Sequence, residues 1–168
     1  MLQSPLTTQC RQRRASVAAA AILVIAASSA GFDTLAAGKP HDEIAKRSLQ
    51  RLGPTQEFDR RALRAFQSKS VDEMRRLYVD LHSTNRKFER HLDQGKNACG
   101  CDVATTTLLI IIGFALNKLD GLGRYQPWMQ GESVELVKTF QGHLTDCAFE
   151  AGQATINLQL EPDHVKAL

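Results

Sequence analysis

The chain has almost none of the short patterns by which enzymes reveal their chemistry. No glycine-rich phosphate loop, dinucleotide fingerprint or kinase motif occurs. The five histidines, His41, His82, His91, His143 and His164, are scattered with no His-x-x-x-His pair, which removes the usual zinc spacing. Cys-x-x-Cys-His is missing, so covalent haem attachment is excluded. Paired acids such as Asp42-Glu43 and Asp72-Glu73 stand at expected helix starts, where a negative charge complements the helix dipole. No enzyme, cofactor or metal is therefore expected. Internal repeats, long low-complexity tracts and a second-domain linker are also absent, which argues for one compact domain.

Acid is missing from one place in particular. The chain carries 21 Lys and Arg against 18 Asp and Glu, a formal +3. The first 30 residues hold Arg11, Arg13 and Arg14 and no acid at all. Without them the balance is 18 against 18, so the excess of positive charge belongs to the leader. Binding to nucleic acid, which draws on a basic surplus, loses its main support. Charge is still uneven along the rest: residues 41–96 carry thirteen cations against nine acids, and residues 97–168 four against eight. Ordinary solvated helix faces account for this, and a polarised surface that steers a partner is the functional alternative.

The leader has three parts. Its arginines precede an uncharged run, Val17 to Ala27, and the small residues Ser28, Ser29 and Ala30 follow. A cationic stretch, an apolar stretch of ~7–15 residues and a small-x-small site make a secretory signal. Cleavage is expected after Ala30, with Ala37 as the alternative, leaving residues 31–40 as a flexible arm. Residues 15–30 fall short of the ~20 apolar residues that span a bilayer. The mature protein is expected in an oxidising, periplasmic compartment without a membrane span. Cys10 precedes the apolar run and leaves with the leader.

Helical punctuation dominates residues 41–160. His41 to Leu52 places Ile44, Leu49 and Leu52 near one face and is expected to stop at Gly53-Pro54. Thr55 can cap the next segment, in which Phe58, Ala62, Ala65 and Phe66 recur at helical spacing. Ser70-Val71-Asp72-Glu73 reads as a capping box. Behind it, Val71, Met74, Leu77, Leu81, Phe88 and Leu92 form a stripe with one gap. Asp102 is expected to cap a helix over Val103–Leu119 that is apolar almost all round, as a centrally buried helix is. A buried strand competes for this β-branched run. A membrane span does not fit, because only fifteen residues, three of them threonines, separate Asp102 from Lys118. A last helix is expected over Ser133 to about Ala154, with Val137, Phe140, Leu144, Cys147, Ala148 and Ala151 inward. The expected fold is all-α: a compact bundle of about five helices around a central apolar one. Residues 161–168 read as a frayed tail.

Three cysteines remain after processing. Cys99 and Cys101 precede the central helix and Cys147 lies on the inward stripe of the last. A bridge from one of the pair to Cys147 would tie the two helices and contribute about 2–4 kcal/mol. Cys101–Cys147 closes the shorter loop, and Cys99–Cys147 is equally allowed. A Cys-Gly-Cys redox site is the competing reading, without the usual two-residue spacer or a strand–helix context.

The connection Asp120 to Glu132 holds three glycines and a proline, and it carries Arg124, Tyr125, Trp128 and Met129. These are the residue types that dominate protein-binding hot spots, on a segment expected to run over the surface. Folding of Trp128 back onto the core is the structural alternative.

The leader, Cys99-Gly100-Cys101-Asp102 before the apolar helix, and Cys147 in the last helix together resemble the periplasmic immunity proteins of type VI secretion amidase effectors. That resemblance implies a non-enzymatic, often dimeric inhibitor that occludes the active-site cleft of a cognate peptidoglycan amidase of the Cys-His kind. Tyr125 and Trp128 are then expected as anchors, with Arg124 at the rim. A periplasmic helical adaptor or chaperone for an envelope complex is the second expectation, and a small-ligand carrier with an apolar cavity under the central helix the third.

Overall fold

The computed structural model describes residues 39–120 and 127–168 of the 168-residue chain. The leader, both cleavage positions and most of the expected arm lie outside the described residues. Five helices follow one another: α1 (Lys39–Ser68), α2 (Val71–Asp93), α3 (Gly100–Leu119), α4 (Pro127–Glu150) and α5 (Pro162–Lys166). No strand occurs among the described residues. The fold is the expected all-α bundle, and α3 packs against α4, α2 and α1.

The first departure from expectation is at Gly53-Pro54, where α1 does not stop. It runs through Pro54 as one helix of 30 residues. Proline withholds the N–H that the Gln50 carbonyl would accept, a loss of about 3 kcal/mol in a helix interior. Here Gln50, Gly53 and Pro54 are all exposed, so water can satisfy that carbonyl. Leu52 before the proline and Ala62, Ala65 and Phe66 after it are buried in the core, so both halves of the helix are held by packing. Thr55 does not cap. Its buried hydroxyl donates to the Arg51 carbonyl four residues back, at 2.9 Å.

The α1–α2 junction is tighter than the sequence suggests. Lys69 adopts a left-handed φ of 50°. Its N–H reaches the Phe66 carbonyl and the Ser70 N–H the Ala65 carbonyl, both at 3.3 Å. This is the Schellman pattern that ends helices. Ser70 then caps α2 by accepting from the Glu73 N–H. Because its own N–H goes to Ala65, the return arm of the expected capping box is replaced. Along α2, Met74, Leu77, Leu81 and Phe88 are buried. The gap in that stripe is a polar seam, where Asn85 accepts a 2.6 Å hydrogen bond from the Thr106 hydroxyl of α3.

Two boundaries shift in the second half. α3 starts at Gly100, and Asp102 is its third residue rather than its cap. One edge of α3 stays open, with Ile110 42% exposed. The last long helix spans Pro127–Glu150 instead of 133–154. It closes at Gly152, whose φ of 77° suits a residue without a β-carbon, through bonds from Gly152 N to Phe149 O and Gln153 N to Ala148 O.

Residues 161–168, expected to fray, form α5 and its cap, with Val165 and the preceding Leu160 buried. Asp59 of α1 anchors this end of the chain. Its two carboxylate oxygens accept the N–H groups of Gln159 at 2.8 Å and Leu160 at 2.9 Å. Burial pushes the Asp59 carboxyl above its ordinary range, against the pull of those two N–H groups and with a further rise from Glu161. A folded value above the unfolded one means the fold binds the proton more tightly. This contribution therefore stabilises in acid and is lost as pH rises through the folded value. Asp59→Asn keeps one acceptor and sets an amide against the other N–H. It should cost about 1–3 kcal/mol in urea unfolding and flatten the acid limb of the stability–pH curve.

Candidate functional site

The chemistry-bearing groups of the described chain gather at the first turn of α3. Cys99 is the N-cap, in extended backbone. Gly100 follows at a close backbone approach between α3 and α4. A β-carbon there would lie 2.6 Å from the Cys147 backbone nitrogen and 2.8 Å from the His143 carbonyl oxygen. Only glycine lets the two backbones meet at that distance. The contact brings the Cα atoms of Cys101 and Cys147 to 5.0 Å, and these two cysteines form the disulfide, 46 residues apart. Of the two pairings the sequence allows, this is the one the structure adopts. The Ser48 carbonyl of α1 lies 3.8 and 3.9 Å from the two sulfurs; neither sulfur carries a proton, so this is packing.

Two carboxylates converge on this helix start, where unpaired N–H groups and the dipole favour negative charge. Glu150, at the end of α4, accepts the Gly100 N–H at 2.9 Å and the Ser48 hydroxyl at 2.7 Å. Asp102 is fully buried and accepts the Cys99 N–H and thiol. Arg47 of α1 reaches both of its oxygens, Nε to Oδ2 at 2.6 Å and Nη2 to Oδ1 at 3.0 Å. This two-pronged geometry is the strongest form of the arginine–carboxylate pair. Burial alone would lower the Arg47 pKa, but the bonds and charge of Asp102 raise it. Arg51 adds its Nε 3.3 Å from Oδ1. That atom is buried and makes no aligned hydrogen bond.

His91 closes the arrangement. Its Nδ1 lies 3.3 Å from Arg47 Nη1 and its Nε2 3.2 Å from the Asn97 carbonyl. An arginine can only donate and a carbonyl only accept, so this network assigns the neutral ring with its proton on Nε2. Arg47, Arg51, Phe88, His91 and Gln94, with Lys87 and Arg90, line a surface pocket of about 440 Å³.

The Cys-Gly-Cys redox reading is not realised. Cys101 pairs with Cys147, and Cys99 remains a buried thiol. Burial, followed by the charge and hydrogen bond of Asp102, pushes that thiol up to about 11. Among the described residues no three His, Cys, Asp or Glu side chains are grouped to hold a metal. α3 is long and apolar enough to cross a membrane by length and composition, but most of it is packed inside the bundle.

Of the expected binding residues, Arg124 and Tyr125 lie outside the described residues. Trp128 stands in the first turn of α4, its side chain likewise outside them. Met129 is half-buried on α4, its carbonyl accepting the Ser133 hydroxyl at 2.6 Å. Residues from Pro127 onward thus belong to a helix and not to the connection expected over 120–132. Proline is favoured at the first helical position, and that signal was available in the sequence. The partners of Asp102 were not: Arg47 stands 55 residues away. No protein-family model matches the chain, and no curated protein or solved structure is significantly similar to it.

Two glycines separate close approach from mere helix content. Gly100→Ala should destabilise by about 3 kcal/mol, since backbone must give way. Gly142→Ala, with open space around the new methyl, should be neutral or stabilising by up to about 1 kcal/mol. Thermal unfolding of both variants checks this, and equal effects would remove the argument. Cys99 should resist alkylation at neutral pH until the protein unfolds. Its stabilising contribution holds below the ordinary thiol range and drains as pH rises through about 11.

Proposed function

We propose that this chain is an exported binding protein of the immunity type, one that occludes the catalytic cleft of a peptidoglycan-cleaving amidase in the periplasm. The observation that carries the reading is the Cys101–Cys147 pair at a close backbone contact between α3 and α4. A domain closed by a disulfide suits an oxidising compartment, which is where the Arg11–Ala30 leader would send it. The buried, raised thiol of Cys99 supports a structural use of the cysteines rather than a catalytic one. The amidase as partner rests on the resemblance carried by the leader, Cys99–Asp102 and Cys147. In this reading Tyr125 and Trp128 are the anchors and Arg124 the rim contact, with Met129 a further residue of the same binding segment.

Two measurements test the proposal. Non-reducing mass spectrometry of the exported protein should recover a peptide linking Cys101 to Cys147; three free thiols would contradict an oxidising home. Affinity capture from the envelope and secreted fractions of the source organism should recover a hydrolase in stoichiometric amount. Tyr125→Ala with Trp128→Ala should then weaken that complex by about 2 kcal/mol or more in a calorimetric titration. Unchanged affinity would remove these residues from the interface, and capture of an assembly complex instead would point to an adaptor.

A further inference from the structure

The pocket between α1 and α2 is lined by more positive charge than the fold uses. Arg47, Arg51, Lys87 and Arg90 face it, and the one acid bonded to its lining arginines is the buried Asp102. Two guanidinium groups share that single carboxylate. Arg47 takes both oxygens, whereas Arg51 approaches one of them without an aligned bond. Lys87 and Arg90 have no acidic partner among the described residues. Elsewhere on the surface Arg60, Arg61, Arg64, Arg75, Lys138 and Lys166 each meet a carboxylate, and the cations that do not, such as Lys46, Arg76, Arg86 and Lys96, do not line this pocket. His91 contacts Arg47 through Nδ1 at 3.3 Å and helps to keep it in place. Phe88 supplies an apolar wall and Gln94 a further amide.

Like charges converging on a concavity repel one another in the empty state, and the field they focus favours an anion. Arginine and lysine donors together suit an oxyanion with several acceptor oxygens. At about 440 Å³ the pocket exceeds a bare phosphate and falls within the range of small-molecule sites. We propose that Arg51, Lys87 and Arg90, arranged around the Arg47–Asp102 pair, bind the phosphate group of a small organic phosphomonoester. The same headgroup chemistry occurs in a soluble ester and in a lipid, and the test separates the two.

Glycerol 3-phosphate is titrated calorimetrically into the full chain, and the chain is sedimented in parallel with phosphatidylcholine vesicles doped with phosphatidic acid. The expected result is saturable binding of one soluble ligand per chain, weakened about tenfold or more by Lys87→Ala with Arg90→Ala. Both residues are exposed, so the melting temperature should hold. If the double variant unfolds, Lys87→Gln alone carries the same comparison. Lys138→Ala, on α4, is the control and should bind as the parent does. Vesicle binding that the same double variant abolishes supports the site and assigns the phosphate to a lipid headgroup. Binding of neither probe, binding indifferent to Lys87 and Arg90, or an equal loss in Lys138→Ala overturns the proposal.

Discussion

The approach of α3 to α4 at Gly100 sets the geometry of everything around it. With a β-carbon position 2.6 Å from a backbone nitrogen of the other helix, the two axes meet here at a separation no other residue permits. Cys101, one position on, is thereby within disulfide reach of Cys147. Glu150, three positions beyond Cys147, is placed to accept the Gly100 N–H. Asp102 is carried inward by the same turn. A glycine contact, a covalent bond and a buried carboxylate occupy three consecutive residues, 100–102, and the second carboxylate, Glu150, meets them from α4. The order also explains which cysteine pairs. Cys99 caps the helix and turns its thiol to Asp102, while Cys101 faces α4.

Burying Asp102 at this point would be costly without compensation, since an isolated carboxylate in an apolar interior loses its hydration. Three kinds of donor offset that loss: the Cys99 N–H and thiol, the paired N–H groups of Arg47, and the positive end of α3 itself. Arg47 and Arg51 belong to α1, so the ion pair also decides how α1 lies across the start of α3. Ser48, between them in sequence, is fully buried and bonds Glu150. One turn of α1 therefore reads both acids at once. This junction, together with Leu52 one turn further on, helps to anchor the half of α1 that precedes Pro54. The proline faces water, and the side of the helix that matters is already fixed.

Patterns of period and punctuation were enough to expose the class of fold, the core stripe of α2, the inward residues of α4 and the pairing of α3 with α4 through a cysteine. Those signals are local: three- and four-residue spacing, a Ser70 cap, an apolar run. What stayed hidden is non-local or balanced by burial. Gly53-Pro54 carries a strong stop signal that tertiary packing outweighs. Asp102 reads as a cap, because nothing near it in sequence announces Arg47 or Arg51 at a distance of half a hundred residues. Asp59 gives no sign that it will hold the backbone at 159–160. Gly100 looks like a spacer between cysteines until the facing helix is in place. The glycines that crowd 121–131 make Met129 read as a loop residue, although Pro127 is a helix opener.

Structure and binding chemistry meet in the arginines. Arg47 is spent on Asp102 and serves the fold. The same carboxylate cannot also satisfy Arg51, whose Nε stays buried without an aligned partner. A protein that needed only to neutralise Asp102 would require one guanidinium there, and Lys87 and Arg90 would be free to point into solvent away from it. Both line the same concave surface and make no contribution to the buried core. The buried acid fixes Arg47, Arg47 contacts the ring of His91, and the remaining cations are left facing outward beside this packed base. Rigidity of this kind lowers the ordering cost of capturing an anion. The groups that lock α1 onto α3 thus also preorganise the basic surface beside them.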